Sequence, residues 1–84
     1  MRIALDSSVM IYAEGLADDP RNAVAQDLLS SLPGNSIVIP LQAVAETLLW
    51  LVRKARLKPA EAVRSSKLWT RHYAIQATDQ AVLE

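Results

Sequence analysis

Short apolar runs alternate along this chain with apolar residues at helical spacing. The runs predict three strands, over residues 3–5, 36–40 and 74–77. The helical spacing predicts four helices, over residues 9–14, 21–32, 41–56 and 60–73. Strands that alternate with helices are typical of an α/β fold with a parallel sheet.

Glycine, proline and aspartate mark the ends of these elements. Gly15 predicts the end of the first helix, and Asp19 before Pro20 predicts the start of the second. The sequence predicts a last helix from Gln80, with Thr78 and Asp79 as candidate caps, but only barely one turn of it precedes Glu84. One turn is too short to be stable. We therefore expect a single domain over residues 1–84, incomplete at its C-terminus after the third strand.

The helix spacing also predicts which side chains face the core. In the second helix the expected set is Val24, Ala25, Leu28, Leu29 and Leu32. In the third helix it is Leu41, Val44, Ala45, Leu48, Leu49, Val52 and Ala55. In the fourth helix it is Ala62, Val63, Ser66, Trp69 and Tyr73. Trp50 falls outside the apolar stripe of its helix, so we expect it to be exposed and to meet a partner.

Composition excludes several classes of protein. The chain has 84 residues and no cysteine, so it can form neither a disulfide framework nor a thiolate zinc site. No apolar run has membrane-spanning length, and Asp6 interrupts the only candidate for a signal peptide. A cytoplasmic protein without membrane segments is expected.

Charge is unevenly distributed although the formal net charge is zero. Acids predominate in residues 1–49, and bases predominate in residues 50–78. Such a division suits a site that binds both a cation and a phosphate backbone. Two ordinary solvated helix faces would produce the same division, and the sequence favours neither interpretation.

Two carboxylates follow the first two predicted strands. Asp6 comes directly after the first strand, and Glu46 lies in the second turn of the helix that follows the second strand. The carboxyl ends of parallel strands meet at one edge of a sheet, where ligands gather. Two carboxylates in one crevice repel each other unless a cation or proton lies between them. The alternatives are a helix cap for Asp6 and a surface ion pair for Glu46.

Together these segments resemble the amino-terminal part of a PIN domain. The residues concerned are the opening Ile-Ala-Leu-Asp-Ser-Ser-Val-Met-Ile-Tyr, then Ile-Val-Ile-Pro, then Leu-Gln-Ala-Val-Ala-Glu-Thr-Leu. Within the family the chain is most similar to VapC-type toxins of toxin–antitoxin pairs. The resemblance implies a three-layer α/β/α fold and a metal-dependent ribonuclease. It also implies Mg²⁺ or Mn²⁺ as cofactor, with RNA, a cognate antitoxin and a second copy in a homodimer as partners.

Residue roles follow from the same resemblance. Asp6 and Glu46 match the first two of four acids that hold the metal, and Ser8 matches the small polar residue beside the first. The basic residues Arg64, Lys67 and Arg71 share a helix face that could contact RNA phosphates, although a solvated face is the more common reason for such a row. The family's last two acids have no counterpart here, because Asp79 is better explained as a cap. Catalysis by these residues alone is therefore not expected.

Two other phosphate-handling classes fit poorly. A haloacid-dehalogenase-type phosphatase needs an acid two positions after Asp6, where this chain has Ser8, and a phospho-receiver domain needs an acidic pair after its first strand. The serious alternative is a catalytically inactive PIN fragment that serves as an oligomerising or partner-binding module.

Overall fold

A computed structural model describes residues 2–16 and 18–76 of the chain. The elements are β1 (Ile3–Ala4), α1 (Ser7–Glu14), α2 (Arg21–Ser31), a 3₁₀ turn (Gly34–Ser36), β2 (Ile37–Pro40), α3 (Leu41–Arg53), α4 (Pro59–His72) and β3 (Ala74–Gln76). The predicted order of strands and helices is confirmed. The expected helix from Gln80 and its caps Thr78 and Asp79 lie outside the described residues.

The three strands form one parallel sheet with β2 in the centre. Ala4 of β1 and Ala74 of β3 both pair with Val38. Beyond β1 the backbone N–H of Leu5 still donates to the carbonyl of Val38, at 3.0 Å. The mixed α/β class with a parallel sheet, expected from the sequence, is therefore confirmed.

The helices pack on one face of this sheet. Ile37 and Ile39 of β2 are buried in a cluster that contains Met10 of α1 and Val44 of α3, and residues of α2 and α4 pack against it. Because side chains alternate along a strand, Val38 points to the opposite face. The described residues thus form two layers, and the second helical layer of an α/β/α arrangement is not among them.

The start of α1 and the start of α2 each follow from local chemistry. Asp6 occupies the N-cap position of α1, so the helix begins two residues before the predicted start at Val9. At α2, the carboxylate of Asp19 accepts a hydrogen bond from the backbone N–H of Arg21 at 2.8 Å, which supports the predicted start signal. At the other end of α1, Gly15 has φ +70, a left-handed conformation that glycine adopts without strain.

The third helix ends earlier than its apolar spacing predicted. It stops at Arg53, not at residue 56. The N–H of Ala55 donates to the carbonyl of Trp50, one residue further back than in an α-helix, and Arg56 has φ +58. This left-handed residue turns the chain, and the next residue, Leu57, donates to the carbonyl of Leu51. The chain therefore leaves the helix and reaches α4 within a few residues.

The predicted core face of α3 is right for Val44 and wrong for most of the other residues. The buried residues are Ala43, Val44, Thr47 and Leu51, whereas Leu41 is 49% exposed, Leu49 is 51% exposed and Val52 is 37% exposed. Apolar residues cover more than half of the helix circumference, so spacing alone could not select the buried side. The side with small residues faces α1, where the hydroxyl of Thr47 lies 3.6 Å from Met10 Sδ. Trp50, expected to be exposed, is half-buried.

The predicted core faces of the other helices are partly right. In α2, Ala25 is buried, but Val24 and Leu28 are exposed. In α4, Ala62 is buried and Trp69 is half-buried as expected, whereas Val63 is exposed. One covered sheet face is too small to bury every apolar residue of four helices. No helix among the described residues is long and apolar enough to cross a membrane.

Candidate functional site

The carboxylate of Asp6 is not used as a helix cap. Its residue occupies the N-cap position of α1 in extended backbone conformation, but its side chain makes no capping hydrogen bond. The backbone carbonyl of Asp6 accepts from the N–H groups of Val9 and Met10 instead. The Ser7 hydroxyl donates to Asp6 Oδ1 across 3.4 Å, a weak interaction at that distance. The carboxylate therefore remains exposed at the end of β1, where it is available to a ligand.

Glu46 reaches the same place from the neighbouring strand. Pro40 is the last residue of β2 and Leu41 the first of α3, so no loop separates strand and helix. The second turn of α3 then lies beside the end of β1, because β1 and β2 are paired neighbours. Glu46 is exposed and has no ion pair within the described part of the chain.

Asp6 and Glu46 line one shallow depression at the carboxyl edge of the sheet. Its volume is about 320 Å³, and its lining consists of Ala4, Leu5, Asp6, Ser7, Pro40, Gln42, Ala43 and Glu46. The structure thus brings together the two carboxylates that the sequence placed after successive strands. Ser7 and Gln42 add a hydroxyl and an amide to the same lining.

The donor atoms of this depression suit a hard divalent cation only in part. Carboxylate, hydroxyl and amide oxygens are the ligands that Mg²⁺ and Mn²⁺ prefer, and such ions retain several waters. Among residues 2–16 and 18–76, however, no group of three or more His, Cys, Asp or Glu side chains could hold a metal ion. The described residues therefore offer a cation two carboxylates at this place and no third acidic, histidine or cysteine ligand.

Ser8, the predicted polar neighbour of Asp6, is exposed and is not part of this lining. The residue that lines the depression and contacts Asp6 is Ser7. The sequence offered two adjacent serines, and the choice between them depends on where α1 starts. With the helix starting at Ser7, the hydroxyl of that first residue stays beside the carboxylate.

The basic residues Arg64, Lys67 and Arg71 lie along an exposed face of α4. None of them lines the depression of Asp6 and Glu46. Within the described ranges none of them forms an ion pair. Their charges are available to an anionic partner, but the structure does not bring them to the two carboxylates.

A second concavity lies between the end of α1 and α4. Its lining is Ala13, Glu14, Ser65, Leu68, Trp69, His72 and Tyr73. The Trp69 indole N–H donates to Glu14 Oε2 at 2.6 Å, and the rings of Trp69 and Tyr73 stack with centroids 5.8 Å apart. Sequence reasoning did not single out Glu14. A partly buried tryptophan usually donates its indole N–H to a hydrogen-bond acceptor, so an acceptor near Trp69 could have been expected. Its identity could not, because Glu14 is 55 positions away in the chain.

Comparison with known proteins gave no match: no protein-family model, no curated protein and no solved structure is significantly similar to this chain.

Proposed function

We propose that this chain is the amino-terminal part of a PIN-type metal-dependent endoribonuclease, similar to the VapC toxins of toxin–antitoxin pairs. The observation that supports the proposal is the shared depression of Asp6 and Glu46 at the carboxyl edge of a parallel sheet. Ligand sites of open α/β sheets lie at this edge. The order of elements agrees with the family resemblance of the sequence, which also suggests a cognate antitoxin, a homodimer and a cytoplasmic location.

Asp6 and Glu46 would hold Mg²⁺ or Mn²⁺, with Ser7 and Gln42 as neighbouring oxygen donors. When bound, such a cation lowers the pKa of a coordinated water and stabilises the leaving oxygen of a phosphodiester. Arg64, Lys67 and Arg71 would contact the phosphates of an RNA strand outside the depression.

These 84 residues alone should not cleave RNA. Two carboxylates hold a cation weakly and leave its attacking water without a positioned base. The remaining acids of the family pattern have no counterpart among the residues present, and Asp79 and Glu84 are not assigned to the site. Binding of metal and RNA therefore tests the proposal better than turnover does.

The test is fluorescence anisotropy of a short labelled single-stranded RNA with and without Mn²⁺. A cation held by Asp6 and Glu46 would add a positive charge that attracts RNA phosphates, so Mn²⁺ should tighten RNA binding about tenfold in the unmodified chain. Asp6→Asn and Glu46→Gln should each remove this gain while keeping the metal-independent part. Asp27→Asn, which removes an exposed carboxylate from α2, should keep the full gain.

An Mn²⁺ effect of the same size in Asp6→Asn, or no effect in the unmodified chain, would contradict the two-carboxylate site. RNA cleavage that is lost in Asp6→Ala would contradict only the statement that the chain is inactive alone, and it would point to Asp79 or Glu84 as a further ligand.

A second candidate function is an oligomerising module without catalysis. The exposed apolar side of α3 favours it, since Leu41, Leu49 and Val52 lie there uncovered. The two candidates separate in the anisotropy experiment, because a pure module would bind neither Mn²⁺ nor RNA through Asp6.

A further inference from the structure

The concavity between the end of α1 and α4 contains a carboxylate beside two aromatic rings, and it shares no lining residue with the depression of Asp6 and Glu46. Glu14 is the last residue of α1 and is half-buried. Its Oε2 accepts the indole N–H of Trp69, and the Trp69 ring stacks with that of Tyr73. Because this hydrogen bond joins two half-buried side chains, it holds the carboxylate at the wall of the concavity.

The Glu14 carboxylate can accept further hydrogen bonds. An ionised carboxylate offers about four lone-pair sites, and the Trp69 indole uses one of them. Glu14 makes no other hydrogen bond or ion pair with the described residues. It also lies at the C-terminus of α1, where the helix dipole adds partial negative charge. This end of the concavity therefore attracts N–H donors and repels anions.

The wall that α4 contributes borders positive charge. Leu68 lines the concavity, and Arg64 and Arg71 lie four residues before and three residues after it on the same helix. Residues at these spacings are neighbours on a helix surface, so both arginines flank Leu68. Both are exposed, and neither forms an ion pair within the described part of the chain. A ligand that is complementary to this surroundings carries N–H donors at one end and an anionic group at the other.

We propose that the concavity binds the guanine base of a nucleotide. The N1–H and N2–H groups of guanine are adjacent and would donate to the two oxygens of the Glu14 carboxylate. The base would pack against the aromatic surface of Trp69 and Tyr73, and the 5′-phosphate would lie outside, against Arg64 and Arg71. The concavity has a volume of about 290 Å³. Ligand pockets begin at about 300 Å³, so the volume suits a base whose sugar and phosphate remain outside.

The positions of the donors select guanine among the bases. Adenine and cytosine have an acceptor nitrogen beside the amino group, and a carboxylate repels the lone pair of that nitrogen. Uracil has a single N–H between two carbonyl oxygens. Guanine alone presents two neighbouring donors at its Watson–Crick edge. A site that must pair both carboxylate oxygens therefore rejects the other bases by leaving polar groups unpaired.

The same chemistry occurs in a free guanine nucleotide and in an unpaired guanosine of RNA. Binding at Glu14 requires neither Asp6 nor a divalent cation, so the guanine site does not depend on the proposed metal site. In an RNA substrate the concavity would select sequence at a distance from the depression, and that consequence alone rests on the proposed function.

Isothermal titration calorimetry with nucleoside 5′-monophosphates in EDTA tests the base site. We expect a dissociation constant on the order of 100 µM for GMP and at least about tenfold weaker binding of AMP, CMP and UMP. Glu14→Gln keeps an acceptor for Trp69 but replaces the other acceptor by a donor, so it should remove the preference for GMP over AMP. Asp27→Asn removes an exposed carboxylate outside the concavity and should keep that preference.

Guanosine, which lacks the phosphate, separates the two parts of the site. Arg64→Ala/Arg71→Ala should weaken GMP binding about tenfold and leave guanosine binding unchanged, because only the phosphate meets the arginines. Arg53→Ala removes an exposed arginine of α3 and should change neither. Weaker guanosine binding in the double variant would overturn the assigned orientation of the nucleotide.

A short oligouridylate and the same RNA with one central guanosine identify the source of the base. Binding of the guanosine-containing RNA about tenfold tighter than GMP would indicate RNA, and binding no tighter than GMP would indicate a free nucleotide. Both results support the guanine site. Equal binding of GMP and AMP, unchanged GMP binding in Glu14→Gln, or no binding of either guanine ligand up to about 5 mM would overturn it. Since no Mn²⁺ is present, such a failure would leave the site of Asp6 and Glu46 untouched, and a missing Mn²⁺ effect would leave the guanine site untouched.

Discussion

At the scale of single residues, the polar side chains that follow β1 have different uses. Asp6 caps α1 through its position and its carbonyl, while its carboxylate lines the depression with Glu46. The sequence could place Asp6 at the strand end, because an apolar run that stops at an acid is a local signal. The family resemblance selected Ser8 as the polar neighbour of Asp6, whereas Ser7 lines the depression, because the position of each hydroxyl depends on where α1 starts. Which of two adjacent side chains points to a site depends on the backbone dihedral angles of the turn, and the residue types alone do not determine these angles.

The ion pair of Asp19 and Arg21 should affect the pH dependence of stability, independently of any function of the protein. Hydrogen bonds from the Arg21 side chain, and then from its backbone N–H, lower the pKa of the Asp19 carboxyl from 3.8 to about 2. A folded pKa below the unfolded one means that the pair stabilises the fold above about pH 4 and loses this contribution as the pH falls toward about 2.

Arg21→Ala should therefore raise the Asp19 titration midpoint toward its ordinary value, as measured by NMR of the side-chain carboxyl carbon. The same variant removes the guanidinium that lies 4.4 Å from the Tyr12 ring centroid. Arg53→Ala is the control, because that arginine belongs to α3 and is not paired with Asp19. A midpoint that stays near 2 in Arg21→Ala would show that the guanidinium is not the cause of the low pKa.

At the scale of elements, the order and type of strands and helices could be predicted, whereas the buried side of α3 could not. Leu41, Leu49 and Val52 have helical spacing and are strongly apolar, so they satisfy the same rule as the residues that are buried. The buried side is instead selected by shape, since Ala43 and Thr47 allow α3 to approach α1 and Met10. Shape matching between elements is a tertiary property that one periodic pattern does not encode.

The hydrogen bond between Trp69 and Glu14 ties α4 to the end of α1. Glu14→Ala leaves a half-buried indole N–H without its acceptor and should lower the free energy of unfolding by about 1 kcal/mol. Glu14→Gln keeps an acceptor oxygen and should cost less than half as much. Urea unfolding followed by circular dichroism measures both.

Trp69 fluorescence, recorded in a Trp50→Phe background, should change in Glu14→Ala because the environment of the indole changes. An unfolding free energy in Glu14→Ala equal to that of the unmodified chain would mean that the bond contributes nothing to joining α1 and α4.

At the scale of the whole molecule, one parallel sheet explains why residues distant in sequence meet. The depression exists because β1 and β2 are neighbours and a helix begins directly after β2 and two residues after β1. The alternation of strands and helices is visible in the sequence, so the proximity of Asp6 and Glu46 at one edge of the sheet could be predicted. Arg64, Lys67 and Arg71 were placed on one exposed face of α4, but spacing along α4 gave no information about their distance from the depression.

The most direct test of the central claim is NMR of the ¹⁵N-labelled chain during titration with Mn²⁺, which broadens nearby amide signals. Signals of the residues that line the depression, including Asp6, Ser7 and Glu46, should broaden first, and Asp6→Asn should abolish this preference. Asp27→Asn should leave it unchanged. Broadening that begins elsewhere, around Asp18 and Asp19 for example, or that persists around Glu46 in Asp6→Asn, would contradict a cation site shared by the two carboxylates.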